Sequence, residues 1–380
     1  MKVLYLQYTS PRRYPPLLRS ARIFRAKGCS VVFGVPSFVD PAENASLAAE
    51  ADVDVRPLRA GRDSADKAGY VCFVARAEGL IRRERPDWVY LSDLYTTPAG
   101  LFAPRAVRLA YHEHDAYSTG EPSAWVRALL KARAALCRRA DLVVVPNRER
   151  LRILQEETGA DPAKCSCVWN CPSVTEVPAS RPLAREVTGV LRIVYCGTIV
   201  PERVPEALLG ALPENAWLDL VGYETIGSPG YARHLVSLGQ ALGAGRRVSW
   251  HEPVTRRKEL SDYISGADAG LALLPAVTHD INLRHMLGAS NKAFDYLACG
   301  VLPIVPDRPD WREVFVDPGY ALAASVDGPA GLSGALAWIA AHRTEVSDRA
   351  RAGQARILSD WNYEKQFAPV AARMIPGGSP

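Results

Sequence analysis

The chain lacks the long apolar runs that span membranes. It contains no stretch of about twenty consecutive apolar residues, and Met1–Tyr8 reads as a short strand without the apolar region of a signal peptide. A composition of 48% hydrophobic and 23% charged residues is that of a folded globular protein. At 380 residues, we expect a cytoplasmic protein with two domains of ordinary size.

Sequence repeats and nucleic-acid-binding motifs are also absent, so solenoid folds and nucleic-acid partners are not expected. Charge is uneven: the whole chain has a net charge of +5, yet residues 1–190 alone carry 28 Lys and Arg against 21 Asp and Glu. The basic residues are spread out, which favours a solvated, arginine-rich surface. The alternative is a weak peripheral contact with anionic membrane lipid or with a phosphorylated ligand.

The cysteines lack the neighbours that a metal site requires. Of the eight, only Cys165, Cys167 and Cys171 cluster, and no fourth Cys or His lies nearby to complete a zinc site. Cys165 and Cys167 alternate along a predicted strand and would share one face. Because a cytoplasmic chain rarely forms disulfides, we expect small buried thiols.

Strand and helix patterns alternate in both halves of the chain, which predicts parallel sheets with crossover helices. The predicted strands are 3–8, 30–35, 88–91 after a Pro-Asp turn, 108–111, 141–145, 191–198, 217–221, 246–251, 267–275 and 302–305. The predicted helices are 16–27, 68–84, 123–139, 231–242, 257–265 and 348–367. Residues 171–190 have little periodicity and read as a linker between domains. Pro369 and a frayed tail are expected to follow the last helix.

The segment Ser290–Val305 combines a helix start, a short amphipathic helix, a glycine stop and a buried strand. Ser290 or Asn291 can cap the helix, while Lys292 and Asp295 lie three residues apart and can both face outward. The first turn thus presents backbone donors and a lysine, with a carboxylate one turn further on. This combination suits a phosphate group attached to a ribose.

The same segment resembles the donor-nucleotide motif of GT-B glycosyltransferases, most closely the retaining family 4. The resemblance implies that Lys292 and the helix start hold the donor diphosphate, and that Asp295 binds the ribose hydroxyls. It adds Ser290 and Asn291 to the donor-binding residues. Many members carry a second glutamate where this chain has Leu287, which implies an altered contact with the donor sugar.

Three loops are expected to complete the donor site. Residues 197–203 resemble the family's diphosphate-clamping segment, which implies donor contacts for Gly197 and Thr198 and a catalytic basic residue at Arg203. Many members have arginine where Thr198 stands. For residues 222–224, the resemblance implies that Gly222 and Tyr223 contact the base and ribose of the nucleotide. For the loop 275–282, the resemblance implies contacts with the donor sugar by His279, Asp280 and Asn282.

His112-Glu113-His114-Asp115 follows a predicted strand. The resemblance favours substrate contact, with His114 and Asp115 in catalytic positions and His112 and Glu113 near the acceptor. A structural role and a metal site are the two alternatives, because histidines and carboxylates are also metal ligands.

The resemblance implies an α/β GT-B fold with two Rossmann-like parallel-sheet domains facing a central cleft and a C-terminal helix crossing back to the first domain. The expected domains are an acceptor domain at 1–175, a donor domain at 176–358 and a C-terminal helix with its tail at 359–380. The implied reaction transfers a sugar from a nucleoside-diphosphate sugar to a small-molecule or lipid-linked acceptor. Cationic residues would replace a metal, and no cofactor is expected. The alternatives are a GT-B nucleotide-sugar 2-epimerase and a non-catalytic nucleotide- or sugar-binding module.

Overall fold

The computed structural model describes residues 1–63, 65–117, 120–179, 189–243, 247–254, 256–275, 277–325 and 329–375. These residues form two compact units. Unit 1 comprises Met1–Asn170, Asp280–Ala289 and the described part of Tyr363–Pro380, and unit 2 comprises Cys171–His279 and Ser290–Asn362.

Unit 1 is built on a parallel sheet. Its elements are β1 (Lys2–Leu6), α1 (Pro15–Ala26), β2 (Ser30–Pro36), α2 (Pro41–Ala51), β3 (Asp54–Leu58), α3 (Lys67–Glu84), β4 (Trp88–Ser92), α4 (Thr97–Leu101), β5 (Arg108–His112), α5 (Ala124–Arg139), β6 (Leu142–Val145), α6 (Arg148–Thr158), β7 (Cys165–Cys167), α10 (Ile281–Arg284) and α15 (Tyr363–Met374). The described strands lie in the order β3-β2-β1-β4-β5-β6-β7. Alternate strand residues pack into two separate apolar cores, one on each face of the sheet.

Unit 2 has a second parallel sheet. Its elements are β8 (Leu191–Thr198), α7 (Ala207–Gly210), β9 (Ala216–Tyr223), α8 (Tyr231–Ala241), β10 (Val248–His251), α9 (Arg257–Ser265), β11 (Ala269–Leu271), α11 (Lys292–Ala298), β12 (Leu302–Pro306), α12 (Pro309–Trp311), a π-helical turn (Arg312–Val316), β13 (Leu322–Ala324), α13 (Pro329–Ala341) and α14 (Arg343–Ser359). The described strands lie in the order β10-β9-β8-β11-β12-β13. The two sheets confirm the predicted fold class of two Rossmann-like domains.

Local capping accounts for several of these boundaries. The side chain of Asn147 accepts a hydrogen bond from the Arg150 N–H and starts α6. The helix ends at Gly159, whose φ of +69° suits a residue without a side chain. In the described part of the chain, no helix has both the length and the apolar character needed to cross a membrane.

The last predicted helix is wrong in its bounds. Two helices, α14 and α15, replace it. The helical conformation is interrupted between them, and there the Asn362 side chain donates to the carbonyls of Ile357 and Leu358. Pro369 lies inside α15 instead of after it. The helix continues past the proline because Phe367 and Met374, which flank it, are both fully buried in unit 1.

The units also divide the chain differently from the predicted domains. Unit 2 begins at Cys171, and the C-terminal part of unit 1 begins at Tyr363, close to the predicted boundaries. Asp280–Ala289, expected in the donor domain, belongs to unit 1 instead. Three predicted features lie outside the described residues: the start of a strand at Arg246, residues 180–188 of the linker, and the tail from residue 376 onward.

Candidate functional site

Two cations of unit 2 contact the same tyrosine. The Lys292 ammonium lies 5.3 Å from the centre of the Tyr195 ring, and Arg203 donates a hydrogen bond to the Tyr195 hydroxyl. Burial and the charge of Arg203 lower the pKa of Lys292 to about 7. Within the described part of the chain, neither cation has a carboxylate within ion-pair distance. The pair can therefore accept an anionic ligand.

Two glycines bring the strand ends of this region close together. Gly197 and Gly222 pair directly across β8 and β9. A side chain on Gly222 would lie 1.8 Å from the Gly197 carbonyl oxygen, and one on Gly197 would lie 3.2 Å from the Lys292 ammonium. Gly222 requires glycine because a Cβ there would collide with the backbone of β8, and Gly197 favours glycine because its φ is +125°. Thr198 and Tyr223 form the next pair of the register, at the carboxyl ends of the strands.

The residue Tyr296 seats α11 against the sheet. Its hydroxyl donates to the Leu271 carbonyl at 3.0 Å and accepts from the Cys196 N–H at 3.1 Å. Its ring occupies the space that a side chain on Gly270 would fill. At the start of the helix, the Ser290 hydroxyl accepts from the Lys292 N–H at 3.3 Å, whereas the Asn291 side chain makes no cap hydrogen bond.

The prediction that Lys292 and Asp295 both face outward is wrong. Lys292 is half-buried, and Asp295 is only 7% exposed. Both oxygens of Asp295 accept from the Arg257 guanidinium, at 2.5 and 3.1 Å, and Glu176 lies 3.5 Å from the same guanidinium. The arginine lies over the carboxylate and removes it from water. Binding of ribose hydroxyls by Asp295 stays a prediction, because each carboxylate oxygen can accept a second hydrogen bond.

The sequence contains a signal that Arg257 pairs with carboxylates. It is the first residue of α9 and lies between two further cations, Arg256 and Lys258. Cations are unfavourable in the first turn of a helix, so such a cluster calls for nearby carboxylates. The ion pair with Asp295 and Glu176 supplies them.

The loop residues that we expect to contact the donor sugar are divided between the two units. His279 is exposed and belongs to unit 2, whereas Asp280 and Asn282 belong to unit 1. The Asn282 side chain exchanges two hydrogen bonds with the Ala116 backbone, at 2.8 and 2.9 Å, and Asp280 caps α10. These two side chains have structural roles in unit 1, and a sugar contact for either stays a prediction.

In unit 1, the two histidines of the 112–115 segment are buried side by side. The ring centres of His112 and His114 are 3.9 Å apart, and the Tyr90 hydroxyl lies 2.7 Å from His112 Nδ1. Burial lowers the pKa of His112 well below its usual value, and burial together with the Arg150 charge lowers the pKa of His114 to about 3. Both rings are therefore neutral at pH 7. Neither Nε2 has a hydrogen-bond partner among the described residues.

The two carboxylates of the segment are in different environments. Glu113 is buried and forms a two-pronged ion pair with Arg133, and it also accepts from the Tyr111 hydroxyl at 2.8 Å. This arrangement favours a structural role for Glu113, and its predicted contact with an acceptor is untested. Asp115 is exposed and lies 3.5 Å from the Arg150 guanidinium.

Asp93 and Tyr14 also contact His114, although neither residue was predicted from the sequence. Asp93 follows β4 with a φ of +61°, and its carboxylate accepts from the His114 N–H at 2.9 Å and from the Tyr14 hydroxyl. Burial and the charge of Asp115 raise the pKa of Asp93 to about 8. The position of Asp93 directly after a parallel strand, next to the strand that ends at His112, was the signal available in the sequence.

Metal ligands are not assembled in the described residues: no group of three or more His, Cys, Asp or Glu side chains is placed to hold an ion. All eight cysteines are free thiols. Cys171 is buried, and Cys165 and Cys167 are half-buried on β7.

Comparison with known proteins identifies related chains. A family model for a glycosyl transferase 4-like domain matches residues 17–171, and one for a glycosyl transferase-like domain matches residues 206–372. A sequence search of curated proteins finds no significant match.

Among solved structures, the fold is similar to that of HepE from Anabaena in complex with UDP and glucose, at 16% identity, 98% coverage of both chains and a TM-score of 0.73. Sucrose-phosphate synthase from Thermosynechococcus elongatus has 15% identity and a TM-score of 0.74, with 98% of this chain and 97% of that chain covered. A putative UDP-N-acetylglucosamine 2-epimerase from Listeria monocytogenes has 14% identity, a TM-score of 0.55, and coverage of 97% and 93%. The two family matches extend over most of both units, and the chain is a glycosyltransferase of the GT-B fold.

Proposed function

We propose that the protein transfers a sugar from a nucleoside-diphosphate sugar to an acceptor hydroxyl or amine, with retention of the anomeric configuration and without a metal. The observation that carries the proposal is the cation pair of Lys292 and Arg203, which has no carboxylate partner among the described residues. Two cations of this kind match the charge of a diphosphate.

The same pair accounts for the chemistry. When the sugar–phosphate bond breaks, negative charge grows on the departing diphosphate. Lys292 and Arg203 then interact with the transition state more strongly than with the bound donor, and this difference accelerates the reaction. A half-buried lysine next to an arginine is preorganised for this role, because the protein has already paid the cost of bringing the charges together.

The structural neighbours support the choice of donor. HepE was crystallised with UDP and glucose, and its fold resembles that of this chain over almost the whole length. The likeness favours a uridine-type sugar nucleotide as the first donor to test. Retention is included because the motif around Lys292 resembles the retaining family 4.

A thermal-shift panel of nucleotides and sugar nucleotides tests the donor. A ligand at about 100 times its Kd adds about 2.7 kcal/mol to the free energy of unfolding, which is readily detected. Lys292→Ala and Arg203→Ala should abolish the stabilisation by nucleoside diphosphates and reduce turnover by about 10² to 10³. Lys258→Ala is the matched control, because Lys258 is an exposed lysine of the same unit that pairs with Asp262.

Product analysis separates the proposal from its alternatives. Release of nucleoside diphosphate that depends on an acceptor, with the anomeric configuration retained and activity preserved in EDTA, supports it. An isomerised sugar nucleotide formed without an acceptor would indicate a 2-epimerase instead. Loss of activity in EDTA with recovery in Mn²⁺ or Mg²⁺ would refute the metal-free part. Normal turnover in both cation variants would refute the diphosphate clamp.

A further inference from the structure

One guanidinium of unit 2 lies between two carboxylates. The Arg257 guanidinium donates to both oxygens of Asp295, at 2.5 and 3.1 Å, and lies 3.5 Å from the Glu176 carboxylate. Only 9% of the Asp295 side chain and 8% of the Glu176 side chain are exposed. Because two nearly buried carboxylates share this arginine, its charge offsets the cost of removing them from water.

Three segments that are distant in the sequence supply this cluster. Arg257 begins α9, Asp295 lies in the first turn of α11, and Glu176 ends a 3₁₀ turn at Val174–Glu176. Helix α9 packs against both α11 and that turn. The arginine therefore connects the helix of the cationic motif with the segment at which unit 2 begins.

A capping box fixes the Glu176 carboxylate. Its Oε2 accepts from the Ser173 N–H at 3.3 Å, and the Ser173 hydroxyl accepts from the Thr175 N–H at 3.2 Å. The same Oε2 is the atom that faces Arg257. The turn thus places a carboxylate beside the guanidinium, and this carboxylate cannot turn away without losing its backbone partner.

The two-pronged pairing fixes the direction of the Asp295 carboxylate. A guanidinium that donates to both oxygens of a carboxylate holds its plane as well as its position. Each oxygen keeps a second lone pair, so the pairing still leaves an acceptor site on both. The two neighbouring hydroxyls of a ribose match two acceptors of fixed direction.

We propose that Arg257 and Glu176 are positioning residues for the donor nucleotide: Arg257 holds the Asp295 carboxylate toward the ribose hydroxyls, and Glu176 holds Arg257. The inference rests on the proposed function and on the predicted ribose contact of Asp295. It assigns a part in donor binding to two side chains outside the segments that resemble the family motif. Without either of them the carboxylate can rotate, and the ribose loses acceptors of fixed direction.

The same contacts should make the turn respond to nucleotide. Coupling between two sites is reciprocal, so a ribose that immobilises Asp295 also immobilises Arg257 and the Glu176 carboxylate. Binding of UDP should therefore slow, several-fold, the hydrogen exchange of the amides that are bonded within the turn, those of residue 173 and residues 175–177. An ion pair with a structural role alone would give no such response.

Calorimetry with UDP and its 2′,3′-dideoxy analogue tests the proposal. The wild type should bind UDP about tenfold or more tightly than the analogue, since only the ribose forms charged hydrogen bonds with Asp295. Arg257→Gln should weaken UDP binding about tenfold and Glu176→Gln a few-fold, with the affinity for the analogue nearly unchanged in both. Arg257→Lys should recover part of the preference, because it retains the charge without the two-pronged hydrogen bonding.

Two variants control for folding. Glu176→Gln keeps an acceptor for its backbone partner and removes a buried charge, so it should remain folded even if Arg257→Gln does not. Asp268→Asn is the matched control in unit 2. Asp268 also accepts a backbone N–H, from Arg192 at 2.8 Å, and also pairs with an arginine, Arg343 at 2.9 Å. Because Asp268 precedes β11, away from the carboxyl ends of the strands, Asp268→Asn should leave both affinities unchanged.

The outcomes separate this inference from the proposed function. If UDP binds and its advantage over the analogue is absent, or survives in Glu176→Gln and Arg257→Gln, the inference is overturned and the transferase proposal stands. Tighter UDP binding by Arg257→Gln also overturns it, since the arginine would then block the carboxylate. Equal weakening of UDP and the analogue, or amide exchange in the turn that UDP does not change, would leave the cluster a structural role only. If the wild type binds neither UDP nor GDP, the proposed donor and this inference are refuted together.

Discussion

At the scale of single residues, Lys292 lowers the stability of the folded state at a position that we propose for donor binding. Its pKa falls from 10.5 to about 7, so between these values the unfolded chain holds more protons than the folded one. The free energy of unfolding therefore rises with pH across that window, and the destabilisation by Lys292 is complete below pH 7. Lys292→Met should raise the melting temperature by a few degrees at pH 6 to 7, at about 2–4 °C per kcal/mol, while abolishing nucleotide binding.

Unfolding by urea at pH 6, 8 and 10 measures this effect. The advantage of Lys292→Met over the wild type should shrink as the pH rises and the wild-type lysine loses its charge. Lys258→Met, at an exposed position, is the control. An advantage that stays constant with pH would contradict the shifted pKa.

His114 should make unit 1 sensitive to acid. Its pKa falls from 6.5 to about 3, which means that the folded state keeps the ring neutral while the unfolded chain takes up a proton. Its stabilisation is fully present above pH 6.5 and is lost as the pH falls toward 3. His114→Gln should flatten the pH dependence of the urea midpoint between pH 6.5 and 4, whereas His234→Gln, at a half-exposed histidine of unit 2, should not. An unchanged slope in His114→Gln would refute the assignment.

At the scale of elements, the close approach of β8 to β9 shapes the region that we propose as the donor site. Gly222→Ala would place a methyl group 1.8 Å from the Gly197 carbonyl oxygen and force the strand ends apart. We expect a loss of about 1–3 kcal/mol in the free energy of unfolding, as for other overpacked sites, together with loss of nucleotide binding. Gly227→Ala is the control, since its new Cβ would meet only Thr225 Oγ1 at 3.8 Å. Wild-type nucleotide affinity in Gly222→Ala would show that the strand ends do not shape the site.

The pairing of α9 with α11 through Arg257 and Asp295 leads to a second prediction at this scale. If Asp295 also binds the ribose, Asp295→Asn should weaken nucleotide binding about tenfold or more, because an amide replaces a charged acceptor of two hydroxyls. The loss should be smaller for a 2′,3′-dideoxy nucleotide. Calorimetry on both proteins and both ligands completes a double-mutant cycle.

Arg257→Lys is the companion variant in that experiment. It keeps the charge beside Asp295 but removes the two-pronged hydrogen bonding, so it reports how much of the effect comes from the ion pair alone. A coupling energy near zero between Asp295 and the ribose hydroxyls would assign Asp295 to the ion pair only.

At the scale of the whole molecule, the end of the chain completes the core of unit 1. Helix α15 contributes Phe367, which is fully buried and packs against Phe24 and Tyr363. Phe367→Ala should lower the free energy of unfolding of unit 1 by about 3–5 kcal/mol, measured by urea denaturation. Leu358→Ala, at a residue of α14 that is 48% exposed, should have little effect. Similar losses in both variants would contradict the placement of α15.

Patterns that repeat within a few residues were readable from the sequence. The alternation of strands and helices gave the two parallel sheets, because a buried strand and an amphipathic helix each have a local hydrophobic period. The segment from Ser290 to Val305 also revealed α11, β12 and the position of Lys292, since a cap, a helix and a glycine stop are all local signals. The resemblance that this segment carries was confirmed by the family matches.

Contacts between distant residues were decided only by the tertiary structure. Arg257 lies 38 residues from Asp295, and Asp93 lies 21 residues from His114, so no local period connects either pair. The segment Asp280–Ala289 belongs to unit 1, where Arg150, more than 130 residues away, donates hydrogen bonds to its backbone carbonyls. Such pairings follow from which strands become neighbours in a sheet and which side chains then exclude water together. The sequence by itself determined the elements and the cationic motif, and the packing decided which charges are paired and which remain available to a ligand.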